Sequence, residues 1–110
     1  MTMMLHTERI LGEVAAERRN QDEKWGPQSY PDGTGGIVRE AESDMAREVC
    51  DKQHQAGHGT WISILREEVY EVFAETDPAK IREELIQVAA VAVCWIEDID
   101  RKMREDNEQQ

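Results

Sequence analysis

The sequence predicts an all-α fold of four helices, and three observations support that class. No stretch shows the sustained alternation of apolar and polar residues that is typical of a β-strand. Four segments instead repeat apolar residues at intervals of three and four, which is the period of an amphipathic helix. Glycine, proline and aspartate interrupt the chain between these segments. We therefore expect a four-helix bundle.

The size of the chain limits it to one core. A length of 110 residues is typical of a single domain and too short for two ordinary ones, so we expect one helical domain over residues 1–110. The hydrophobic fraction of 39% is modest and the charged fraction of 34% is high, a balance that favours completing the core by pairing with another copy. A homo-oligomer is therefore expected.

The first helix is predicted over residues 5–23, where Leu5, Ile10, Leu11 and Val14 form a thin apolar stripe. The next segment, residues 26–36, holds four of the seven glycines and two of the three prolines, which predicts a loop. A loop of this length between short helices is either mobile or functional.

The second helix is predicted from Ile37 to Gln55. Its expected apolar stripe comprises Val38, Ala41, Met45 and Val49.

The last two helices carry recognisable start signals. Thr60 can cap a third helix that reaches to about Glu75. Asp77 can cap the fourth helix, with Pro78 at its first position, and this helix should cover about residues 79–104. The tail, residues 105–110, is expected to fray.

The charge balance argues against a nucleic-acid binder, because only 13 lysines and arginines face 24 acidic residues, for a net charge of −11. Two exceptions remain open: a protein that brings cations to a phosphate ligand, and a protein that imitates nucleic acid with its own acids. The longest apolar run, residues 88–96, is about half of what a bilayer requires, so no membrane span is expected.

Cysteine usage points to a reducing compartment. Cys50 and Cys94 are the only cysteines, both lie among apolar neighbours, and neither belongs to a CxxC motif. We interpret them as two buried, reduced thiols of a cytoplasmic protein.

Acidic residues occupy positions of the third and fourth helices that should be buried. Side chains three and four residues apart share a helix face, which places Glu68 beside Leu65 and Val72, and Glu84 beside Ile81 and Val88. An ExxE pair taken alone is usually a solvated face, but two inward pairs need a common partner. Hard divalent ions such as Mg²⁺ or Mn²⁺, which prefer oxygen ligands, would make such proximity tolerable.

These motifs carry a family resemblance. The run EEVYE (67–71), twelve further residues and then ELIQ (84–87) resemble the ExxE…ExxD signature of the MazG-like, all-α nucleoside triphosphate pyrophosphohydrolases. The stretches ERRNQDEKWG (17–26) and GTWISILREE (59–68) are similar to small single-domain members found in phages and actinobacteria. The resemblance spans about residues 17–100.

The resemblance implies a helical bundle that forms dimers or tetramers and cleaves an NTP or dNTP between the α and β phosphates, with Mg²⁺, to a monophosphate and pyrophosphate. Glu68, Glu71 and Glu84 match metal-binding acids of the signature. Glu67 matches an extra acid that helps to bind metal or to orient the attacking water, and we assign it the role of proton acceptor. We expect Glu67 and Glu68 to be the catalytic residues.

One position departs from the family pattern. The last motif residue is normally Asp, and here it is Gln87, whose amide oxygen can ligate weakly but contributes no charge. Either the site works with one carboxylate fewer, recruiting Glu83 or Glu67, or activity is reduced.

The end of the first helix supplies candidate substrate contacts. Lys24 offers a cation for the triphosphate, Trp25 an indole to stack on the base, and Gln21 an amide for the edge of the base. The alternative interpretation is that Trp25 joins the helix to the loop, with Lys24 on the surface beside it.

Two other classes of function stay open. The chain is either an enzyme, or a helical module that kept the fold, lost catalysis and acts through protein contacts. A weaker third candidate is an acidic DNA mimic that blocks a nucleic-acid enzyme.

Overall fold

A computed structural model of the chain describes the backbone of residues 2–109 and the side chains of residues 5–109. Its helices are α1 (Thr2–Trp25), α2 (Ile37–Gln55), α3 (Trp61–Ala74) and α4 (Pro78–Gln109). Helix accounts for 82% of the described residues and no strand occurs among them, which confirms the predicted all-α class of four helices.

The predicted starts of α3 and α4 agree with the structure. Thr60 caps α3 by accepting a hydrogen bond from the backbone N–H of Ser63 at 3.2 Å. Asp77 accepts one from the backbone N–H of Ala79 at 3.1 Å. Pro78 opens α4, where its missing N–H removes no intrahelical bond. Residues 26–36 form the predicted loop, and α2 has its predicted bounds.

The C-terminal tail differs from its prediction, because α4 continues to Gln109 instead of fraying after residue 104. The added residues are exposed. Extending a helix that already exists requires no new nucleus, and the two glutamates and the glutamine among residues 105–109 are good helix formers.

Within the described residues, the chain divides into two compact units. One unit combines the residues up to Pro31 with those from Val93 onward, and the other is Asp32–Ala92. The second unit therefore holds α2, α3 and the first half of α4. The prediction of one domain over the whole chain stays a prediction.

The core of the second unit forms where α2 packs against α3. The buried residues of α2 are small: Ser43, Ala46 and Cys50. Between the helices, the hydroxyl of Ser63 donates a hydrogen bond to Gln53.

The apolar stripe that predicted α2 is not the face that packs against α3. Its residues, Val38, Ala41, Met45 and Val49, are exposed. Small side chains let two helix backbones approach closely, so packing selected the face with little bulk rather than the most hydrophobic one.

The first unit joins α1 to the second half of α4. Ile10 is 1% exposed, whereas Leu5, Leu11 and Val14 are 65%, 49% and 46% exposed, so only one residue of the predicted α1 stripe is buried. Two polar pairs join the helices: His6 Nε2 lies 3.0 Å from Asp100 Oδ2, and the hydroxyl of Thr7 donates to Glu97.

The cysteine prediction holds for one residue of two. Both thiols are free, but Cys50 is buried and Cys94 is exposed, so the expectation of two buried thiols was wrong for Cys94. The neighbouring Val93 is 7% exposed, and one step along a helix turns the side chain by about 100°, which takes Cys94 off the buried face. Over the described part of the chain, no helix combines the length and the apolar content that crossing a bilayer demands.

Candidate metal centre

The third helix presents three carboxylates because of where it begins. The Thr60 cap fixes the start of α3, and the helical period then places Glu68 and Glu71 on one side of it, with Glu67 at the edge of that side. The Asp77 and Pro78 start of α4 sets the position of Glu84, about two turns into that helix. All four acids belong to the second unit.

Three of these carboxylates converge. Glu68, Glu71 and Glu84 each offer one oxygen that lies within 4.8 Å of those of the other two. All three side chains are partly buried. One oxygen of Glu68 and one of Glu84, Oε2 in each case, is buried without a hydrogen-bond partner. Buried polar atoms are nearly always paired, so these two oxygens are candidates to accept a proton or to bind a cation.

The cluster resists ionisation in the absence of a cation. Burial, a hydrogen bond to Glu71 and the negative charges of Glu71, Glu68 and Glu75 raise the pKa of Glu84 to about 7. Burial and the charges of Glu71 and Glu67 raise the pKa of Glu68. With these raised pKa values, the two carboxyl groups keep a proton at a higher pH than an isolated glutamate does.

The donor set fits a hard divalent ion. Mg²⁺ and Mn²⁺ favour carboxylate oxygens, and Mg²⁺ is usually held by a few carboxylates while it keeps several waters. Glu68, Glu71 and Glu84 supply three such ligands from two helices, and both orphaned oxygens belong to this set. The group contains no sulfur or imidazole ligand, which zinc sites generally include.

Arg47, on α2, lies at the edge of the cluster. Its Nη2 is 3.5 Å from Glu71 Oε1, and its Nε is 4.0 Å from Glu67 Oε1. The arginine side chain is 51% exposed, whereas those of Glu67 and Glu71 are 21% and 22% exposed. Both contacts are long, so the guanidinium stands between the two carboxylates without forming a close bidentate pair.

Cys50, on α2, is buried close to Glu67. Burial, hydrogen bonding to Glu67 and the charges of Glu67, Asp51 and Glu68 raise the pKa of Cys50 to about 11. A thiol that stays protonated at neutral pH is a poor nucleophile and a poor metal ligand. We therefore assign Cys50 no role as a nucleophile or as a ligand.

Gln87 lies one turn beyond Glu84 on α4, and its side chain is exposed. This residue completes the predicted ligand set only with its amide oxygen turned toward the cluster. Its assignment as a ligand stays a prediction.

The predicted substrate residues belong to the first unit. The ammonium of Lys24 lies 4.9 Å from the centroid of the Trp25 ring, which is 60% exposed. Gln21 accepts a hydrogen bond from Arg18 at 2.8 Å and donates one to Glu17 at 3.3 Å. The roles of Gln21, Lys24 and Trp25 toward a nucleotide stay predictions.

An open depression of about 940 Å³ lies elsewhere in the second unit, between the start of α2 and the end of α3. Its aromatic wall is Tyr70 and Phe73, whose ring centroids are 6.0 Å apart. Tyr70 follows Glu68 by two residues, which places it on the opposite side of α3. The depression is thus separate from the acidic cluster.

Sequence reasoning missed Arg47 and the link from Cys50 to Glu67. Arg47 and Cys50 are three residues apart and share one face of α2, next to the buried Ala46. That spacing is visible in the sequence, but spacing alone does not say which face of α2 packs against α3.

Comparisons with known proteins add no assignment. No protein-family model, no curated protein and no solved structure matches this chain.

Proposed function

We propose that the protein is a Mg²⁺-dependent nucleoside triphosphate pyrophosphohydrolase of the MazG-like, all-α type. The observation that carries the proposal is the convergence of Glu68, Glu71 and Glu84, with two buried and unpartnered carboxylate oxygens. The motif resemblance supplies the reaction class. Mn²⁺ is expected to substitute for Mg²⁺, because both ions take carboxylate oxygens.

The chain's own residues have separable roles in this reaction. Glu68, Glu71 and Glu84 hold the divalent ion, and Gln87 adds a neutral oxygen. A bound divalent ion neutralises the negative charge that spreads over the phosphates in the transition state.

Glu67 accepts a proton from the attacking water. The water oxygen bonds to phosphorus at the α–β anhydride, and the bond from that phosphorus to the bridging oxygen breaks. The products are the monophosphate and pyrophosphate. Cys50, which lies close to Glu67, helps to hold this carboxylate in place for the step.

The remaining parts of the proposal follow the resemblance. Gln21, Lys24 and Trp25 contact the nucleotide. The bundle is completed in a homodimer or homotetramer, and the protein acts in the cytoplasm, where nucleoside triphosphates and millimolar Mg²⁺ are available.

The decisive experiment is a panel of NTPs and dNTPs assayed for pyrophosphate release with and without Mg²⁺. We expect at least one nucleotide to be cleaved only when the metal is present. Glu68→Ala should abolish release while circular dichroism shows unchanged helical content. Metal-independent release, or full activity of Glu68→Ala, would contradict the proposal.

A protein-interaction module is the second candidate, and the exposed apolar face of α2 favours it. Val38 and Met45 on that face are 70% and 67% exposed. Such a module would release no pyrophosphate from any nucleotide of the panel. A third candidate is an acidic mimic of DNA. Its affinity for its partner would fall as the salt concentration rises and would not depend on millimolar Mg²⁺.

A further inference from the structure

We propose that Arg47 exchanges partners: it neutralises Glu67 and Glu71 while the cluster lacks a metal, and it binds the polyphosphate chain of the nucleotide once a divalent ion takes over Glu71. The inference rests on the proposed function for its second half only. Its first half concerns the chain's own charges and is tested without a nucleotide.

The first step of the argument is charge. Glu67, Glu68, Glu71 and Glu84 bring four carboxylates to one small region of the second unit. Among the described residues, the ion pairs of 4.0 Å or less to these four acids both come from Arg47. This guanidinium is thus the cation that the fold itself supplies to the cluster.

The second step is geometry. The contacts of 3.5 Å to Glu71 and 4.0 Å to Glu67 are longer than the 2.7–2.9 Å of a strong charge-assisted bond. A third contact, from Nη1 to Asp44 Oδ1, is also long at 3.9 Å. A guanidinium has five N–H donors in a fixed fork, and none of these three contacts is a strong bond. With half of its side chain exposed, Arg47 has donors left to bind a further anion.

The third step is competition for Glu71. The same carboxylate contacts Arg47 and belongs to the group of three that can hold a metal. A divalent ion and a guanidinium near one carboxylate repel each other, so each weakens the binding of the other. Phosphate then becomes the better partner for Arg47, because its oxygens match the arginine fork.

The experiment measures two affinities on the whole chain. Binding of Mn²⁺ alone is measured by isothermal titration calorimetry without nucleotide. Binding of an α,β-methylene nucleoside triphosphate, which resists cleavage between the α and β phosphates, is measured in saturating Mg²⁺. The variants are Arg47→Ala and Arg47→Lys. The matched control is Lys52→Ala, which removes a cation from the same helix. Lys52 pairs with Glu48 at 2.8 Å.

Arg47→Ala should bind Mn²⁺ about threefold more tightly, because a weak competing ion pair is gone. It should bind the triphosphate analogue at least about tenfold more weakly, because hydrogen bonds to a charged group are lost. Arg47→Lys keeps the positive charge but loses the forked guanidinium. Its affinity for Mn²⁺ should equal that of the native protein, and its affinity for the triphosphate analogue should be lower. Lys52→Ala should match the native protein in both measurements.

Unchanged or weaker Mn²⁺ binding by Arg47→Ala would overturn the inference, since Arg47 would then only organise the carboxylates. Unchanged binding of the analogue would overturn it as well. Native protein that binds Mn²⁺ but releases no pyrophosphate from any nucleotide would refute the hydrolase proposal, while the Mn²⁺ comparison still decides the counter-ion role of Arg47. Native protein that binds no Mn²⁺ would refute both.

Discussion

Glu68 on α3 and Glu84 on α4 each bury one carboxylate oxygen that lacks a hydrogen-bond partner, and each has an oxygen within 4.8 Å of one from the other. Two carboxylates about 4 Å apart repel by about 4 kcal/mol at an effective dielectric near 20. Helix packing that tolerates this arrangement without a proton or a cation would be unusual. From this relationship we predict metal binding and a pH-dependent stability.

The first prediction concerns stabilisation by metal. Millimolar Mg²⁺ or Mn²⁺ should raise the thermal unfolding midpoint, because an ion that binds only the folded chain stabilises it by about 2.7 kcal/mol at one hundred times its dissociation constant. Glu68→Gln should lose this increase. Glu42→Gln makes the same change of charge at an exposed position of α2 and should keep it. Equal stabilisation of all three proteins would place the metal elsewhere.

The second prediction is the pH dependence of the metal-free protein. The folded-state pKa of Glu84 is raised from 4.5 to about 7, so between these values the folded chain holds a proton that the unfolded chain has released. The stability contributed by that proton is complete below about pH 4.5 and is lost as pH rises through about 7. Urea unfolding measured from pH 4.5 to pH 8 should show this decline.

Glu84→Gln tests the origin of that decline, because its amide does not titrate. The variant should show a flatter profile and should be more stable than the native protein at pH 8, by on the order of 1 kcal/mol. A native profile that rises over this window, or one that Glu84→Gln leaves unchanged, would contradict the assignment.

The third prediction concerns Gln87. Replacing it with Asp adds a charged oxygen one turn beyond Glu84, so Gln87→Asp should bind Mn²⁺ several-fold more tightly. Pyrophosphate release should rise with it if the missing carboxylate limits the reaction. The matched control is Glu83→Gln, which tests whether the neighbouring acid is recruited instead. If Glu83→Gln binds Mn²⁺ more weakly and Gln87→Asp binds it no more tightly, then the fourth ligand is Glu83 and not Gln87.

The helices and the inward position of the acidic residues could be predicted from the sequence because local rules decide them. Thr60, Asp77 and Pro78 set the starts of α3 and α4 through capping and a fixed backbone dihedral, which require no knowledge of the rest of the fold. Helical spacing alone placed Glu68 and Glu84 on inward faces. Their convergence then followed from the cost of burying two separate charges.

The packing of α2 could not be predicted in the same way. Its most hydrophobic stripe, which includes Val38 and Met45, is exposed, and small residues such as Ala46 face α3 instead. Which face is buried depends on how closely two backbones approach, and no local rule contains that distance. Arg47 was missed for the same reason, because its contacts to Glu67 and Glu71 exist only once that face is known.

The fourth prediction tests the start of α3. Thr60→Ala removes the oxygen that accepts from the backbone N–H of Ser63, and it should lower the free energy of unfolding by about 1 kcal/mol. Thr60→Ser keeps the hydroxyl and should lose much less. Chemical denaturation of the metal-free protein measures both. Equal losses in the two variants would show that the threonine methyl group, and not its oxygen, stabilises this end of the helix.

The fifth prediction concerns Gly35, which anchors the loop to the end of α3. Its backbone N–H donates to the carbonyl of Phe73 at 2.8 Å, and its φ is 94°. A Cβ at this position would lie 2.6 Å from the methyl carbon of Thr76, so Gly35→Ala adds a steric conflict to an unfavourable backbone conformation. We expect a loss of about 1–3 kcal/mol in the free energy of unfolding.

Two comparisons separate the contributions at Gly35. Gly33 also has a positive φ, 71°, but a Cβ there would meet no atom within 4 Å. Gly33→Ala should therefore lower the free energy of unfolding less than Gly35→Ala does. Thr76→Ser removes the methyl group, so in the double variant the clash disappears and only the backbone strain remains. If the double variant is no more stable than Gly35→Ala, the side chain of Thr76 turns aside at negligible cost and the backbone conformation accounts for the whole loss.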